Sequence, residues 1–141
     1  MKLFFDTSVL IPAFFEDHEH HEASLSVFLR ADKKQACCGA HSLVEFYATT
    51  TRFPSRHRLS GEQVLLLLEN IQERLTIVTL DAQEYYGVLK RAAEAGIVGG
   101  AIYDLLLASC ALKAGAEIMY TWNVRHFRRF GPEVAKRVRT P

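Results

Sequence analysis

Four short apolar runs, separated by longer segments with helical spacing, constrain the fold of this chain more than any other feature. The runs are "KLFFD" (2–6), "QACCG" (35–39), "LTIVTL" (75–80) and "EIMYTW" (117–122). Strands that alternate with helices of about ten residues or more indicate a parallel sheet, because neighbouring parallel strands need a crossover connection. We therefore expect an α/β fold in which helices flank a central, mainly parallel sheet of four or five strands.

Helical spacing and capping residues predict the helices between these runs. They cover residues 7–15, 22–31, 42–53, 60–73, 81–95 and 101–114. Ser60, with Gln63 three residues later, forms a capping-box pattern, and Gly96 and Gly115 are typical of helix ends. Pro12 must lie in the first turn of its helix or mark a kink, because proline has no backbone N–H.

The length and the apolar content are typical of one globular domain, so we expect residues 1–141 to form a single unit. No apolar run reaches the roughly 18 uncharged residues that a membrane span needs, and the N-terminus begins without a signal-peptide pattern. Cys37, Cys38 and Cys110 lie in apolar contexts typical of reduced core thiols. We therefore expect a cytoplasmic protein with no membrane partner.

Basic residues are concentrated in two stretches, although Lys and Arg total only 17 against 16 Asp and Glu. One stretch is "RFPSRHR" (52–58), and the other runs from Arg125 to the C-terminal end, with six basic residues against Glu133 alone. Such stretches suit a polyanion, although a solvated basic surface is their commoner meaning. We regard Arg52, Arg56 and Arg125 as candidates for binding a phosphate backbone.

The apolar segment "FFDTSVLIPAFF" (4–15) carries a carboxylate, Asp6, in its first half. An ionised carboxylate is costly to bury, because an apolar interior cannot replace its hydration. Asp6 therefore either caps the following helix, which is worth about 1 kcal/mol, or lies beside a cation. From this segment alone, the two interpretations are about equally supported.

Two further acids and one amide fall near the carboxyl ends of the predicted strands. Glu45 completes "SLVE", which taken alone is better explained as a capping box with Ser42. Asp104 is the only acid of the apolar helix "AIYDLLLASCAL", and a helix dipole stabilises an acid by less than full burial costs. Asn123 follows the fourth strand.

Functional residues of parallel sheets gather at the carboxyl ends of the strands, so we expect Asp6, Glu45, Asp104 and Asn123 to converge. Carboxylates that lie close together repel one another, and their pKa values rise unless a cation offsets the charge. Mg²⁺ or Mn²⁺ suits such an oxygen-rich site.

The histidines are weaker candidates. "HEHH" (18–21) has no partner pair at zinc-ligand spacing, so a solvated helix start is the favoured interpretation. His41, His57 and His126 are isolated in sequence, and we expect them at surface or turn positions.

The segments "FFDTSVLI", "SLVEFYATTTRFP", "AIYDLLLASCALKAGA" and "IMYTWNVRHF" together resemble the PIN-domain family, over nearly the whole chain. Within that family the chain is most similar to the VapC-type toxins of bacterial and archaeal toxin–antitoxin pairs. The resemblance implies a three-layer sandwich and a Mg²⁺- or Mn²⁺-dependent ribonuclease. It also implies a homodimer, and a cognate antitoxin that inserts a C-terminal segment, often with an arginine, into the acidic groove.

The resemblance also implies the site residues. Asp6, Glu45 and Asp104 match the three acids of the family, and they are expected to hold the metal. Asn123 stands where the family often has Asp, and this leaves open whether one ion or two are bound. We expect Thr7, Ser8 and Thr121 to orient the carboxylates, with local helix capping as an equal alternative for these hydroxyls.

The ribonuclease activity that the resemblance implies requires an RNA substrate. Tyr47, Phe53 or Trp122 can stack on unpaired bases, although aromatic residues at such positions are more often part of the core.

Three rival interpretations stay open. In a phosphohydrolase Asp6 would be a nucleophile, but Ser8 occupies the place of the usual second carboxylate. A catalytically inactive PIN-like binding module is favoured by Asn123 and disfavoured by the three acids. A PIN nuclease of RNA maturation, rather than a toxin, is less favoured because the chain carries no added domain.

Overall fold

The chain folds around one five-stranded parallel sheet. A computed structural model describes all 141 residues. The strands are β1 (Leu3–Phe5), β2 (Ala36–Gly39), β3 (Thr76–Val78), β4 (Ile118–Tyr120) and β5 (Val138–Arg139). Their order in the sheet is β3-β2-β1-β4-β5, and every neighbouring pair is parallel. The predicted α/β class and parallel sheet are confirmed, and β1 is the central strand.

Eight helices connect and flank the strands. They are α1 (Thr7–Ala13), α2 (His21–Leu29), α3 (Ala40–Thr50), α4 (Gly61–Arg74), α5 (Ala82–Ala95), α6 (Ala101–Lys113), α7 (Val124–Arg128) and α8 (Pro132–Ala135). None of them is long and apolar enough to cross a membrane.

Side chains of the central strands alternate between two hydrophobic cores, one on each face of the sheet. Phe4 and Cys37 pack with residues of α5 to α8, whereas Phe5 and Cys38 pack with residues of α1 to α4. Because both faces are covered, the strands read as continuous apolar runs rather than as alternating patterns. The arrangement is the predicted three-layer sandwich, and all three cysteines are free and buried.

Most predicted helix ends agree with the structure. Ser60 accepts a hydrogen bond from the backbone N–H of Gln63 at 3.2 Å, and the Gln63 side chain accepts one from the N–H of Ser60 at 2.8 Å, so the capping box is formed. Gly96 ends α5 with φ 70°, and Gly115 follows α6 with φ 69°. Both glycines take the left-handed conformation that side chains disfavour.

The first helix differs from its prediction. It ends at Ala13 instead of residue 15, and Pro12 lies in its last turn rather than in its first turn or at a kink. At that position the missing N–H removes a single bond to the carbonyl four residues earlier, and the helix stops one residue later. The N–H of Phe14 then bonds to the carbonyl of Ile11 at 3.1 Å, which closes the helix with a tighter turn.

The last stretch of the chain contains structure that the sequence pattern did not predict. Residues 124 to 139 form α7, α8 and the edge strand β5. These elements are two to five residues long, which is too short for helical or strand periodicity to be recognised. They add the fifth strand beside β4.

Two glycines provide a test of the packing. A Cβ on Gly39, at the end of β2, would lie 2.8 Å from Cδ2 of the buried Leu107, whereas a Cβ on Gly87, inside α5, would meet nothing within 4 Å. We expect Gly39→Ala to lower the free energy of unfolding by about 1–3 kcal/mol, the usual cost of overpacking. Gly87→Ala should raise it by about 1 kcal/mol, because alanine favours the helix. Urea denaturation measures both changes.

Each variant is the control for the other, since the substitution is the same and only the surroundings differ. Equal effects of the two substitutions would contradict the close approach between Gly39 and Leu107.

Candidate active site

Asp6 immediately follows the central strand, and its carboxylate is buried with 3% of the residue exposed. It occupies the N-cap position of α1, yet its side chain does not cap the helix. Instead, Oδ2 accepts hydrogen bonds from Ser8 Oγ and from Thr121 Oγ1, both at 2.7 Å. The helix-cap interpretation is therefore right for the position of Asp6 and wrong for its side chain.

The two hydroxyls that bind Asp6 are themselves held by the backbone that follows β4. The N–H of Trp122 donates to Ser8 Oγ at 2.9 Å, and the N–H of Asn123 donates to Thr121 Oγ1 at 2.9 Å. Each hydroxyl has one proton, and it is used on Asp6, while its lone pairs accept from the backbone. The start of α1 and the end of β4 are thus joined through one carboxylate.

Glu45 lies inside α3, because that helix begins at Ala40. The predicted capping box with Ser42 is wrong, since Ser42 is not at the helix start and its hydroxyl is buried without a hydrogen-bond partner. Glu45 Oε1 instead accepts from Thr7 Oγ1 at 3.0 Å. Thr7 and Ser8 therefore contact carboxylates of two different elements rather than cap the helix that they begin.

His41 is the second neighbour of Glu45, with its Nε2 3.7 Å from Oε1. Its ring stacks on Tyr103, with a centroid separation of 5.0 Å and an angle of 12° between the planes. Burial lowers the pKa of the imidazole, which favours the neutral form. His41 is half-buried rather than a free surface residue, and its spacing of four residues from Glu45 on one helix is the signal that could have predicted this contact.

Asp104 lies in the first turn of α6, with 25% of its side chain exposed. His126 Nδ1 is 3.6 Å from its Oδ2, and Arg129 Nη2 is 4.0 Å from the same oxygen. His126 is at the surface, as expected, but it faces an acid. Both basic residues belong to or follow α7, which the sequence pattern did not predict, so these contacts were missed.

The three acids influence one another electrostatically. Burial is the largest cause that raises the pKa of each carboxyl, and the charge of Asp104 raises the pKa values of Asp6 and Glu45 further. Hydrogen bonds from hydroxyls offset part of this for Asp6 and Glu45, and His126 and Arg129 offset part of it for Asp104. The ionised forms of the three acids are therefore disfavoured at this edge of the sheet, mainly because the carboxyl groups are buried.

Asn123 is the N-cap residue of α7 and is exposed. Its side chain makes no hydrogen bond, and it lines a cleft together with Ser8 and Trp122. We call the part of the sheet edge with Asp6, Glu45 and Asp104 the acidic edge. Ser8 lines the same cleft as Asn123 and binds Asp6, so the amide of Asn123 lies at the border of the acidic edge.

The donor types of this edge fit a hard divalent cation, because carboxylate and hydroxyl oxygens are the groups that Mg²⁺ and Mn²⁺ prefer. Burial is the main cause that raises the pKa values of the three acids, so their ionised forms are disfavoured, and a bound cation would stabilise those forms. As the side chains stand, however, no three His, Cys, Asp or Glu residues are close enough to form a ligand set.

The three arginines proposed for the phosphate backbone differ in their surroundings. Arg52 and Arg125 are exposed and make no side-chain hydrogen bond or ion pair, whereas Arg56 Nη2 lies 3.3 Å from Asp17 Oδ2. Much of the C-terminal basic stretch is used within the fold, since Arg137 and Lys136 pair with Glu133. The free positive charge is thus smaller than the sequence indicated.

Two of the three candidate aromatic residues are held by neighbours. Trp122 stacks on His20 with a centroid separation of 3.7 Å, and its Nε1 donates to Ser24 Oγ at 2.9 Å. Phe53 packs against Phe15 with centroids 5.0 Å apart and also lines the cleft that contains Asn123. Tyr47 is 43% exposed.

The histidines of "HEHH" build the start of α2, as expected. His21 Nδ1 lies 2.7 Å from the carbonyl oxygen of Pro12, and His18 Nδ1 accepts from the N–H of His20 at 3.0 Å.

Comparisons with known proteins agree with this architecture. A family model of the PIN domain matches residues 3–131. The chain is 38% identical over 114 residues to ribonuclease VapC40 of Mycobacterium tuberculosis, covering 81% of each chain. Among solved structures it is similar to VapC20 of M. tuberculosis, a sarcin-ricin loop cleaving toxin, with a TM-score of 0.70 and 12% identity over 89% of this chain and 92% of that one.

A second solved structure with the same fold is VapBC2 from Rickettsia felis, bound to a DNA fragment from its promoter. The TM-score is 0.66 and the identity 20%, with 99% of this chain and 98% of that chain covered.

The raised pKa of Asp6 predicts a pH dependence of stability in EDTA. Because burial raises the pKa of Asp6 in the folded state, the folded chain binds this proton more tightly than the unfolded chain. The stabilisation is present below the ordinary pKa of 3.8 and is lost as the pH rises through the folded value. The neutral Asp6→Asn variant lacks this loss, so its free energy of unfolding relative to wild type should increase with pH above 3.8.

In the pH range over which Asp6 titrates, the difference in free energy of unfolding between Asp6→Asn and wild type should change by at most about 1.4 kcal/mol per pH unit. Urea titrations of both proteins at a series of pH values measure it. A difference that is constant across the series would contradict the raised pKa.

Proposed function

Because the chain belongs to the PIN domain family, we propose that it is the toxin of a type II toxin–antitoxin pair, a ribonuclease that hydrolyses phosphodiester bonds in RNA. The electrostatic influence of Asp104 on Asp6 and Glu45, at the edge of the sheet where the central strand ends, is the observation that supports this proposal. The ribonuclease relative supports it, since the identity is well above the level at which only the fold is shared. Residues 1–141 would form a single PIN domain.

Asp6, Asp104 and Glu45 are the residues that would hold Mg²⁺ or Mn²⁺. When bound, such an ion would lower the pKa of an attacking water and stabilise the negative charge of the phosphate. The chain itself contributes positioning. Ser8 and Thr121 hold the buried carboxylate of Asp6 through short hydrogen bonds, and Thr7 orients Glu45 from the same helix start.

Other residues at this edge act on charge and water. His126 and Arg129 lie beside Asp104 and offset part of its charge before a cation binds. Asn123 is neutral, so it can orient a water through its amide oxygen but adds no charge at the fourth position. A site with three carboxylates and one amide favours one tightly held ion over two.

We propose a cognate antitoxin as the protein partner, bound against the acidic edge. Glu45 has no lysine or arginine partner within the chain, so an arginine of the antitoxin would form charge-assisted hydrogen bonds there. A homodimer and a cytoplasmic location complete the proposal. The three free, buried thiols agree with a reducing compartment.

A catalytically inactive binding module is the second candidate. The contacts of Asp104 with His126 and Arg129 favour it, because the guanidinium of Arg129 and, when it is protonated, the imidazole of His126 stabilise the acid without a metal.

Expression of wild type and of Asp104→Asn in growing cells distinguishes the two functions. We expect growth arrest by wild type alone, because the neutral amide weakens the metal site. Purified wild type should cleave RNA, lose this activity in EDTA and regain it with Mg²⁺ or Mn²⁺. Asp104→Asn should cleave at least about 100-fold more slowly, the usual loss when one stabilising group of a transition state is removed.

Asp32→Asn is the matched control. Asp32 is exposed before β2, at the opposite end of the sheet, and this variant should arrest growth like wild type. Thermal unfolding with and without Mn²⁺ gives a readout independent of activity, since an ion bound only by the folded state raises the midpoint. If wild type and Asp104→Asn were both harmless, and wild type gained no stability from Mg²⁺ or Mn²⁺, the inactive binding module would be the better conclusion.

The free arginines should affect RNA binding through salt-dependent contacts. We expect Arg52→Ala and Arg125→Ala each to raise KM for RNA and to reduce the slope of log KM against log salt by about 0.7, one phosphate contact on a single strand. Arg56→Ala should have a smaller effect, because Asp17 already pairs with this side chain.

Steady-state cleavage at several salt concentrations measures these slopes. Lys33→Ala, an exposed substitution before β2, is the control for lost positive charge away from the acidic edge. Equal slopes for all four variants would argue against a role of Arg52 and Arg125 in binding the backbone.

A further inference from the structure

A cleft borders the acidic edge where the connection from α1 to α2 faces the end of α3 and the residues after β4. It has a volume of about 380 Å³, within the range of about 300–1,000 Å³ that ligand pockets occupy. Ser8, His18, Thr49, Phe53, Trp122 and Asn123 are among the residues that line it. None of its lining residues is acidic.

The cleft is directly connected to the buried carboxylate. Ser8 lines the cleft and donates to Asp6 Oδ2 at 2.7 Å, so a group seated there lies one side chain away from Asp6. The wall beside Ser8 is rigid, because Trp122 is stacked on His20 and is anchored by its Nε1 to Ser24.

The lining offers an aromatic ring and unpaired polar groups together. Phe53 is half-buried and lines the cleft, and the side chains of Thr49 and Asn123 make no hydrogen bond within the chain. His18 accepts through Nδ1 from the N–H of His20, so a neutral imidazole carries its proton on Nε2, where it can donate. An apolar ring face with several hydrogen-bonding groups around it is the environment in which proteins hold an unpaired nucleobase.

The charges on either side of the cleft determine how a nucleotide would lie. Arg52 is adjacent to Phe53 and has no acidic partner, whereas Glu16, Glu19 and Glu22 gather on the other side of His18. A phosphate is attracted to the side of Arg52 and repelled from the side of the three glutamates. The base then points into the neutral cleft, while the backbone passes from Arg52 towards the proposed metal site at Asp6 and away from the three glutamates.

We propose that this cleft binds one unpaired nucleobase next to the phosphate that is cleaved, and that it gives the enzyme its requirement for a base at that position. This inference rests on the proposed ribonuclease function and adds the site that holds the substrate. It also assigns a role to His18 and Phe53, which the acid cluster does not use.

The test combines a filled cleft with a substrate that lacks a base. Thr49 is exposed at the end of α3, so Thr49→Trp places an indole in the cleft without disturbing the core. Ala48→Trp adds the same bulk at the neighbouring exposed position, which does not line the cleft, and is the matched control. The probes are single-stranded oligoribonucleotides cut by wild type, in which each nucleotide around the cleaved bond in turn is made abasic.

For wild type and Ala48→Trp, we expect one abasic position to lower kcat/KM by about tenfold or more, as the loss of a stacked base does. The loss should appear mainly in KM. For Thr49→Trp, kcat/KM on the intact RNA should be as low as that of wild type on the abasic RNA. Removing the base at that position should then lower kcat/KM of Thr49→Trp no further. Thermal unfolding of both variants verifies that they are folded.

The proposal is overturned if wild type cleaves all abasic RNAs equally well, or if Thr49→Trp keeps the full abasic penalty. It is also overturned if Thr49→Trp weakens only the binding of an antitoxin and leaves RNA cleavage unchanged, because the cleft would then be a protein-binding groove. A wild-type protein that cleaves no RNA at all would instead refute the proposed function itself.

Discussion

The buried carboxylate of Asp6 is the constraint on which the rest of the site depends. An acid at the end of the central strand must keep its hydrogen bonds, because it has almost no contact with solvent. Its two hydroxyl donors come from the first turn of α1 and from the segment after β4, which are more than 100 residues apart in sequence. Satisfying this one group therefore fixes how the beginning and the end of the chain meet.

The same arrangement concentrates charge. Glu45 and Asp104 reach the edge from helices on opposite faces of the sheet, and each brings its own neighbours, His41 for the first and His126 with Arg129 for the second. Hydroxyls and basic side chains stabilise these acids only in part, so their pKa values remain raised. Perturbed pKa values of this kind cluster at functional sites, so they agree with the proposed cation site.

Local sequence patterns correctly predicted helix ends that depend only on a few adjacent residues. The box of Ser60 and Gln63 and the glycine at the end of α5 depend on a few adjacent residues, and both formed as expected. The proposed box of Ser42 and Glu45 failed for a tertiary reason, since α3 begins two residues earlier and Glu45 bonds to Thr7. The short elements after Asn123 gave no periodic signal, and with them the basic neighbours of Asp104 were missed.

The sequence by itself determined the class of the fold, the central position of the apolar strands and the choice of three candidate acids. Buried parallel strands and helices of ten or more residues leave a periodic record, and an acid in an apolar run is conspicuous because its burial is costly. Only the tertiary structure decided which hydroxyls hold Asp6, which basic side chains face Asp104 and which aromatic residues line the cleft. Those contacts join residues far apart in the chain, and their distances depend on packing that no local pattern encodes.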